Sequence, residues 1–232
     1  ERNPLSYSLN MYPNFTFRKF QVLPGEEHRI HKDFIDAIRK SEKSGFSLNV
    51  GFQVSHRVGE ITYLHAGVDF ITNTYRTEFD FQNFRDADVN SETGGIDRYL
   101  VKDQPQQVTL TNLNQFHYLN LPLSISYEPW INDHVRMNME AGISYLYFMG
   151  AQGTTLDYQT LEKVDLSERT YRDNLASINL RLGLHYFVNR QINVGLVPSF
   201  RYFTNTIYTS EFPFDMIPYS VGMSFSVQVK LN

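Results

Sequence analysis

The amino-acid sequence predicts an all-β protein, an eight-stranded antiparallel up-and-down transmembrane β-barrel with long extracellular loops. Three observations lead to this fold class. Apolar and polar residues alternate along eight segments, six of these segments carry a glycine on their polar face, and the connections alternate between short and long. Because successive side chains of a strand point to opposite faces, each segment has one apolar and one polar face.

The stretch FSLNVGFQV, residues 46–54, shows the alternation without a miss. One face of this segment carries Ser47, Asn49, Gly51 and Gln53, and the other face carries five apolar residues. The same pattern predicts strands at roughly 5–20, 46–56, 61–75, 113–127, 135–148, 175–187, 192–204 and 218–231. The whole chain, 1–232, is interpreted as one barrel domain.

The connections predict an orientation. Residues 57–60, 128–134 and 188–191 form short links, whereas the other four links are longer. Outer-membrane barrels combine short periplasmic turns with longer extracellular loops. The pattern therefore predicts a bacterial outer-membrane location, with periplasmic termini and extracellular long loops.

The polar faces are rich in glycine, serine and asparagine, which suits a cramped lumen. The six glycines are Gly51, Gly67, Gly142, Gly183, Gly195 and Gly222. An eight-stranded barrel is only wide enough for side chains to fill it. The apolar faces carry almost no charge, as expected if they meet lipid, where a charge near the midplane costs roughly 2–4 kcal/mol. A water-soluble barrel with an apolar interior is the alternative, and it would be expected to carry Lys and Glu outside.

Aromatic residues at the strand ends predict two interfacial girdles. The loop-end girdle would contain Phe15, Phe17, Phe20, Phe46, Tyr75, Tyr118, Tyr145, Tyr147, Tyr202, Phe203 and Tyr219, and the turn-end girdle Tyr127, Trp130, Tyr186 and Phe187. Pro13, Pro122 and Pro198 fall within strands and lack the N–H that a ladder needs. Bulges or local breaks are expected there.

The composition limits the classes of molecule that the protein is expected to bind. The net charge of −4 gives no basic footprint for nucleic acid, and the absence of cysteine excludes disulfides and thiolate chemistry. Nothing in the sequence calls for a cofactor. The expected partners are outer-membrane lipid and proteins that bind the extracellular loops.

Six charged or titratable residues on the polar faces form the candidate site. They are His65, Asp69, Arg136, Glu140, Arg181 and Arg201. Buried charges persist when they are paired and hydrogen-bonded, so we interpret the set as a polar network that fills the lumen. A proton or ion path is the alternative.

Three predicted loop segments suggest two further metal sites and one helix. Asp86, Asp88, Asn90, Glu92 and Asp97 match positions 1, 3, 5, 7 and 12 of a calcium loop, although position 6 is Ser91 rather than glycine. A solvated acidic loop is the alternative. His28, His31 and Asp33 form a weaker zinc hypothesis. Residues 31–44 are predicted to form a short helix that ends at Gly45.

Two segments carry a family resemblance. FHYLNLPLSISYEPW (116–130) and PYSVGMSFSVQVKL (218–231) resemble the fourth and the closing strands of the Bacteroidota outer-membrane β-barrel family. Some members are PorT-like secretion parts, and others are C-terminal barrels of membrane-spanning anti-sigma-type signalling proteins. The resemblance implies a non-enzymatic sensing, anchoring or binding module. A subunit of a secretion or outer-membrane assembly machinery is the alternative, and a lipid-modifying enzyme is third.

Overall fold

The computed structural model describes residues 5–30, 34–35, 38, 42–83, 106–160 and 162–230. Within these ranges, eight long strands build the wall of a barrel. They are β1 (Leu5–Val22), β2 (Glu42–Arg57), β3 (Thr62–Asn83), β4 (Gln106–Tyr127), β6 (Val135–Gln152), β9 (Asn174–Phe187), β10 (Ile192–Phe203) and β11 (Phe214–Lys230). The short strand β5 (Trp130–Asn132) pairs beside β6, and β7 (Thr154–Leu156) and β8 (Lys163–Asp165) form a small separate hairpin.

The barrel is closed and every ladder in it is antiparallel. The wall runs β1-β2-β3-β4-β6-β9-β10-β11, and β11 pairs again with β1. Met11 in β1 shows the closure, because it lies between Val50 of β2 and Phe225 of β11. Neighbours in sequence are neighbours in space, so the predicted eight-stranded up-and-down antiparallel barrel is confirmed.

The wall is polar inside and apolar outside. In β2, Phe46 and Leu48 are 59% and 47% exposed, whereas Ser47 and Asn49, which alternate with them, are 3% and 2% exposed. The same alternation continues around the barrel, with leucine, valine, isoleucine and phenylalanine outward and serine and asparagine inward. An exterior of this kind is matched to lipid rather than to water.

The strands are longer at the loop end than the sequence predicts. β3 continues to Asn83 and β4 begins at Gln106, whereas the predicted strands stop at 75 and start at 113. Arg76 points outward there, and Tyr75 is only 1% exposed. Polar residues such as Thr77 still face inward here, at 3% exposure, so apolar and polar residues share the interior and strict alternation no longer marks the strand.

The lumen is cramped at the glycines, as predicted. A Cβ at Gly142 would lie 2.4 Å from the Cβ of Ser124, and one at Gly183 would lie 2.4 Å from the Leu196 carbonyl oxygen. A Cβ at Gly51 would lie 1.8 Å from the carboxylate of Asp69. Glycine at these positions therefore lets neighbouring inward side chains and backbone close over the strand.

The strand prolines cause local breaks without bulges. Pairing of β1 with β11 stops after Met11↔Phe225 and resumes at Asn14↔Gly222 in the same register, which leaves Pro13 unpaired on that side. The ladders next to Pro122 and Pro198 are interrupted in the same way. Each proline keeps its pairing with the strand on its other side. A missing N–H thus removes a bond from one ladder only.

The loop segments confirm part of the helix prediction. Phe34, Ile35 and Ile38 are helical, but Gly45 lies within β2 rather than at a helix end. No helix in the described ranges has the length and apolar character needed to cross a bilayer. His31, Asp33 and the candidate calcium ligands at 86–97 lie outside the described residues.

Candidate functional site

The lumen contains two polar groups of residues and an apolar group stacked along its axis. The first polar group, the turn-end network, centres on His65. Its Nδ1 and Nε2 each lie 2.7 Å from a serine hydroxyl, those of Ser55 and Ser126. Ser126 donates its hydrogen to Glu128 at 2.9 Å. Because a hydroxyl has one hydrogen, Nε2 of His65 must donate to Ser126, and in the neutral ring Nδ1 accepts from Ser55.

Arg136 closes the turn-end network. Its guanidinium donates to the phenol oxygen of Tyr63 at 2.6 Å and lies 3.8 Å from a Glu128 oxygen. The same group stacks over Trp130, 3.9 Å from the ring centroid, and lies 4.8 Å from that of Phe187. One carboxylate and several ring faces thus stabilise this buried cation.

The second polar group, the central charged layer, holds an ion pair between β6 and β9. Glu140 and Arg181 are 2.8 Å apart, and both side chains are 8% exposed. Ser124 donates to the same Glu140 oxygen at 2.6 Å. Arg181 also lies over the ring of Tyr12, 5.0 Å from its centroid.

Asp69 and Arg201 complete this layer with a looser pair. Their closest nitrogen and oxygen are 3.9 Å apart. Asn120 donates to Asp69 at 2.7 Å, and Arg201 donates to Asn179 at 2.7 Å. Asn120 thus binds the Asp69 oxygen that is nearest to Arg201, and the other oxygen, Oδ1, is buried without a hydrogen-bond partner among the described residues.

The structure thus places all six predicted residues inside the barrel and joins them in two groups. Three guanidiniums, on Arg136, Arg181 and Arg201, face three carboxylates. Sequence reasoning missed one carboxylate, Glu128, and the supporting residues Tyr12 and Asn120. The polar face of β4 runs through Ser124 and Ser126, so continuing the alternation by one step would have found Glu128.

The space left in the polar lumen is small. One cavity of about 30 Å³ adjoins His65 and Glu140, and another of about 20 Å³ adjoins Asn14 and Arg201. A water molecule needs roughly 10–15 Å³ measured in this way. Both of these cavities are water-sized.

An apolar plug, the aromatic core, closes the lumen above the charged layer. Its inward-facing members are at most 2% exposed: Ile71, Tyr75, Phe116, Tyr118, Leu146, Leu175, Phe203, Phe214 and Met216. Residues from the loops pack on it, including Phe34, Leu156, Leu166, Ile207 and Tyr208. We call the loop segments 23–30, 153–160, 162–173 and 204–213 the loop cap.

The aromatic core corrects the predicted girdles. Tyr75, Tyr118 and Phe203 are 1%, 1% and 0% exposed, so they lie inside the barrel and not at its outer rim. Phe187 is also buried, next to Trp130 at a centroid distance of 4.9 Å. Alternation alone does not show at which depth the inside of a barrel becomes apolar. Phe15, Phe46, Tyr145, Tyr147, Tyr127, Trp130 and Tyr186 do face outward, with 46–59% exposure.

A short 3-10 helix, Leu166–Glu168, anchors the loop cap. Its N-cap residue Asp165 accepts hydrogen bonds from the Ser167 hydroxyl at 2.7 Å and the Ser167 backbone N–H at 2.8 Å. These bonds hold the pKa of the Asp165 carboxyl below its usual value. Leu166, 1% exposed, inserts into the aromatic core.

The geometry bears on two chemistries, lipid cleavage and metal binding. Ser55, His65, Ser126 and Glu128 form a hydroxyl–imidazole–hydroxyl–carboxylate series, but each of them is at most 5% exposed and faces the lumen, so membrane lipid does not reach them. In the described ranges, no group of three His, Asp or Glu side chains could hold a metal ion. Hydrogen bonds link these four side chains inside the lumen.

A wall with a band of apolar outward residues, around a lumen in which three carboxylates face three guanidiniums, is typical of transmembrane β-barrels. No protein-family model matches the chain, and no curated protein matches its sequence. Solved structures are similar to it at low identity. Neisserial surface protein A (NspA) has 9% identity and a TM-score of 0.49 over 100% of this chain and 99% of that chain.

Two further structures show a comparable likeness. OprG from Pseudomonas aeruginosa has 8% identity and a TM-score of 0.44 over 100% of this chain and 98% of that chain. The NMR structure of the E. coli outer membrane protein W has 13% identity and a TM-score of 0.35, over 96% and 97%. The closed eight-stranded antiparallel barrel with an apolar exterior follows from the strand pairing and the burial pattern of the chain itself.

Proposed function

We propose that the protein is a non-conducting, non-enzymatic outer-membrane barrel that anchors a binding or sensing platform. One observation carries the proposal: a charge-balanced network fills the lumen, and the aromatic core seals it beneath the loop cap. A plugged barrel offers solutes no route, so the surface left for interaction is the loop cap. The family resemblance supports an anchoring role at the end of a signalling chain.

Conduction is the first test. The purified barrel in planar bilayers is expected to give no steady channel, because the cavities of about 30 and 20 Å³ beside the lumen charges are water-sized. Reproducible openings on the nanosiemens scale would contradict the proposal.

Orientation is the second test. The short turns are assigned to the periplasm and the loop cap to the cell exterior. A cysteine at exposed Gln159 in the loop cap should react with a membrane-impermeant maleimide on intact cells, and one at exposed Arg190 in a short turn should not. The wild-type chain has no cysteine, so the background is clean. The reverse labelling pattern would invert the orientation.

A platform role also predicts where partners bind. A photo-crosslinking amino acid at Gln159 or Glu168 should give a discrete protein adduct in living cells, whereas Arg190 should give none. Adducts formed only from the lipid-facing wall, for instance at Leu123, would instead favour a subunit of a secretion or assembly complex. Absence of any adduct from the loop cap would overturn the platform role.

A further inference from the structure

A groove of about 740 Å³ crosses the apolar outside of the barrel, and we call it the outer groove. Its two sides are rows of outward side chains that run across the strands. The upper row, nearer the loop end, is a series of direct cross-strand partners from β4 to β11: Ile125, Ala141, Leu180, Phe200 and Val221.

The lower row lies two residues nearer the turn end on each strand. It consists of Tyr127, Met139, Leu182 and Pro198. The residues between the two rows, such as Glu140 and Arg181, also line the groove, although their side chains face the lumen. Only their backbone can reach the outside, so the backbone of the wall forms the floor of the outer groove.

Small side chains keep the outer groove open. Ala141 lies between the larger Ile125 and Leu180 in the upper row. Pro198 is the compact member of the lower row on β10. Outward residues that are two positions apart on a strand are separated by about 7 Å, and five adjacent strands span about 19 Å. The outer groove is therefore narrow and long.

These dimensions select the kind of molecule that fits. A helix with its side chains is about 10–12 Å across and cannot enter between the two rows. An acyl chain is a single file of methylene groups. It crosses one leaflet, about half of the roughly 30 Å hydrocarbon core, so its whole length can lie in the outer groove.

The two ends of the outer groove differ in polarity. At the turn end it begins between Thr62 and Tyr127, which are cross-strand partners and carry hydroxyl groups. Tyrosine favours the level of the lipid headgroups. The other end is apolar, because Val221 is followed across the ladder by Phe15, which is 53% exposed. The occupant should therefore have one polar end and one apolar end.

We propose that the outer groove binds one acyl chain of a phospholipid whose headgroup lies beside Thr62 and Tyr127. The inference rests on the membrane location in the proposed function. Lipid tails are already in an apolar environment, so the hydrophobic effect does not favour the groove over the bilayer. The gain comes from van der Waals contacts, which a chain in the groove makes with two rows and a floor, whereas a chain elsewhere on the wall touches one side.

Photo-crosslinking measures the occupancy. The folded barrel is placed in dioleoyl phosphatidylcholine vesicles that contain a small fraction of phosphatidylcholine with a diazirine on its acyl chain, and the adducts are mapped by mass spectrometry. Leu182 in the groove and Leu9 on β1 are matched, since both are leucines with 57% exposure. We expect about fivefold more adducts at Leu182, which corresponds to roughly 1 kcal/mol of additional contacts.

A filling variant tests the shape of the site. Ala141→Phe should reduce the adducts at Leu182 to the level of Leu9, because the new ring occupies the groove. Ala66→Phe is the matched control, since Ala66 is an exposed alanine of β3 that does not line the groove, and it should leave the adducts unchanged. The heat-modifiable gel shift checks that both variants fold, and Ala141→Leu is the smaller replacement if the phenylalanine prevents folding.

Three outcomes would overturn the proposal. Leu182 and Leu9 would react equally, Ala66→Phe would lower the Leu182 adducts as much as Ala141→Phe, or Leu182 would be protected from lipid in a barrel that sediments as a dimer. The last result would identify a second copy as the occupant. Failure of the barrel to insert into vesicles would instead contradict the membrane location, and with it the proposed function.

Discussion

Glu140 and Arg181 are direct cross-strand partners on β6 and β9, and their charged groups lie 2.8 Å apart inside the barrel. Little water reaches either charged group there, because both side chains are only 8% exposed. The strand register thus keeps the two groups opposite each other, in addition to the attraction between their charges. Removing one partner would leave an uncompensated charge within the membrane-spanning wall.

The first prediction concerns this pair. Arg181→Met should destabilise the barrel by about 3–5 kcal/mol, the usual cost of breaking a buried ion pair from one side. Glu140→Met combined with Arg181→Met should recover most of the loss, since no unpaired charge remains. Urea unfolding from lipid vesicles, followed by the fluorescence of the single tryptophan, Trp130, measures both. Equal instability of the single and double variants would show that packing, not charge, dominates.

The second prediction concerns the cramped glycines. In Gly183→Ala the new Cβ would lie 2.4 Å from the Cα of Val197, which is backbone and cannot rotate away. We expect a loss of roughly 1–3 kcal/mol, the cost of overpacking. In the turn, a Cβ at Gly59 would have its nearest neighbour at 3.4 Å, so Gly59→Ala is the matched control and should fold normally.

The neighbouring lipid-facing residue sharpens that comparison. Leu182, 57% exposed, should tolerate Leu182→Ile because lipid adapts to its shape. The heat-modifiable gel shift of folded barrels reports all three variants. Normal folding of Gly183→Ala together with failure of Leu182→Ile would mean that the apolar side is a packed protein core.

The third prediction concerns the aromatic core. Phe116 is fully buried, and its ring packs against Tyr75 and Tyr171 at centroid distances of 5.8 and 5.4 Å. Phe116→Ala should cost about 3–5 kcal/mol because the cavity cannot collapse fully. Phe15→Ala, on the lipid face, should cost less because lipid fills the space. Limited proteolysis of the loop cap should distinguish them: rapid cleavage in Phe116→Ala only is expected, and equal cleavage would contradict it.

The fourth prediction concerns pH. The hydrogen bonds from Ser167 depress the pKa of Asp165 in the folded protein. Its contribution to the stability of the loop cap is therefore present above the unfolded value of about 3.9 and is lost as the pH falls through the lower folded value. The NMR signal of the Ser167 amide should titrate with a midpoint below 3.9. Asp165→Asn should abolish this titration, and an unchanged titration would assign it to another carboxyl.

The sequence determined the barrel, its order of strands and the facing of its membrane-embedded residues. The period-two alternation from Phe46 to Val54 is compatible only with a strand that has one apolar face. Uncharged apolar residues on the outward face suit lipid, and small inward residues such as Gly142 and Gly183 suit a narrow lumen. The same alternation placed Asp69, Glu140, Arg181 and Arg201 inside.

Only the tertiary structure decided which of these residues meet and what closes the barrel. Ion pairs depend on the stagger between strands, which brings Glu140 opposite Arg181 and leaves Asp69 at 3.9 Å from Arg201. Alternation specifies a face but not the depth at which the surroundings change from lipid to water. The sequence therefore assigns Tyr75, Tyr118 and Phe203 to a girdle. In the structure they form the apolar plug, because burial inside the barrel also removes their rings from water.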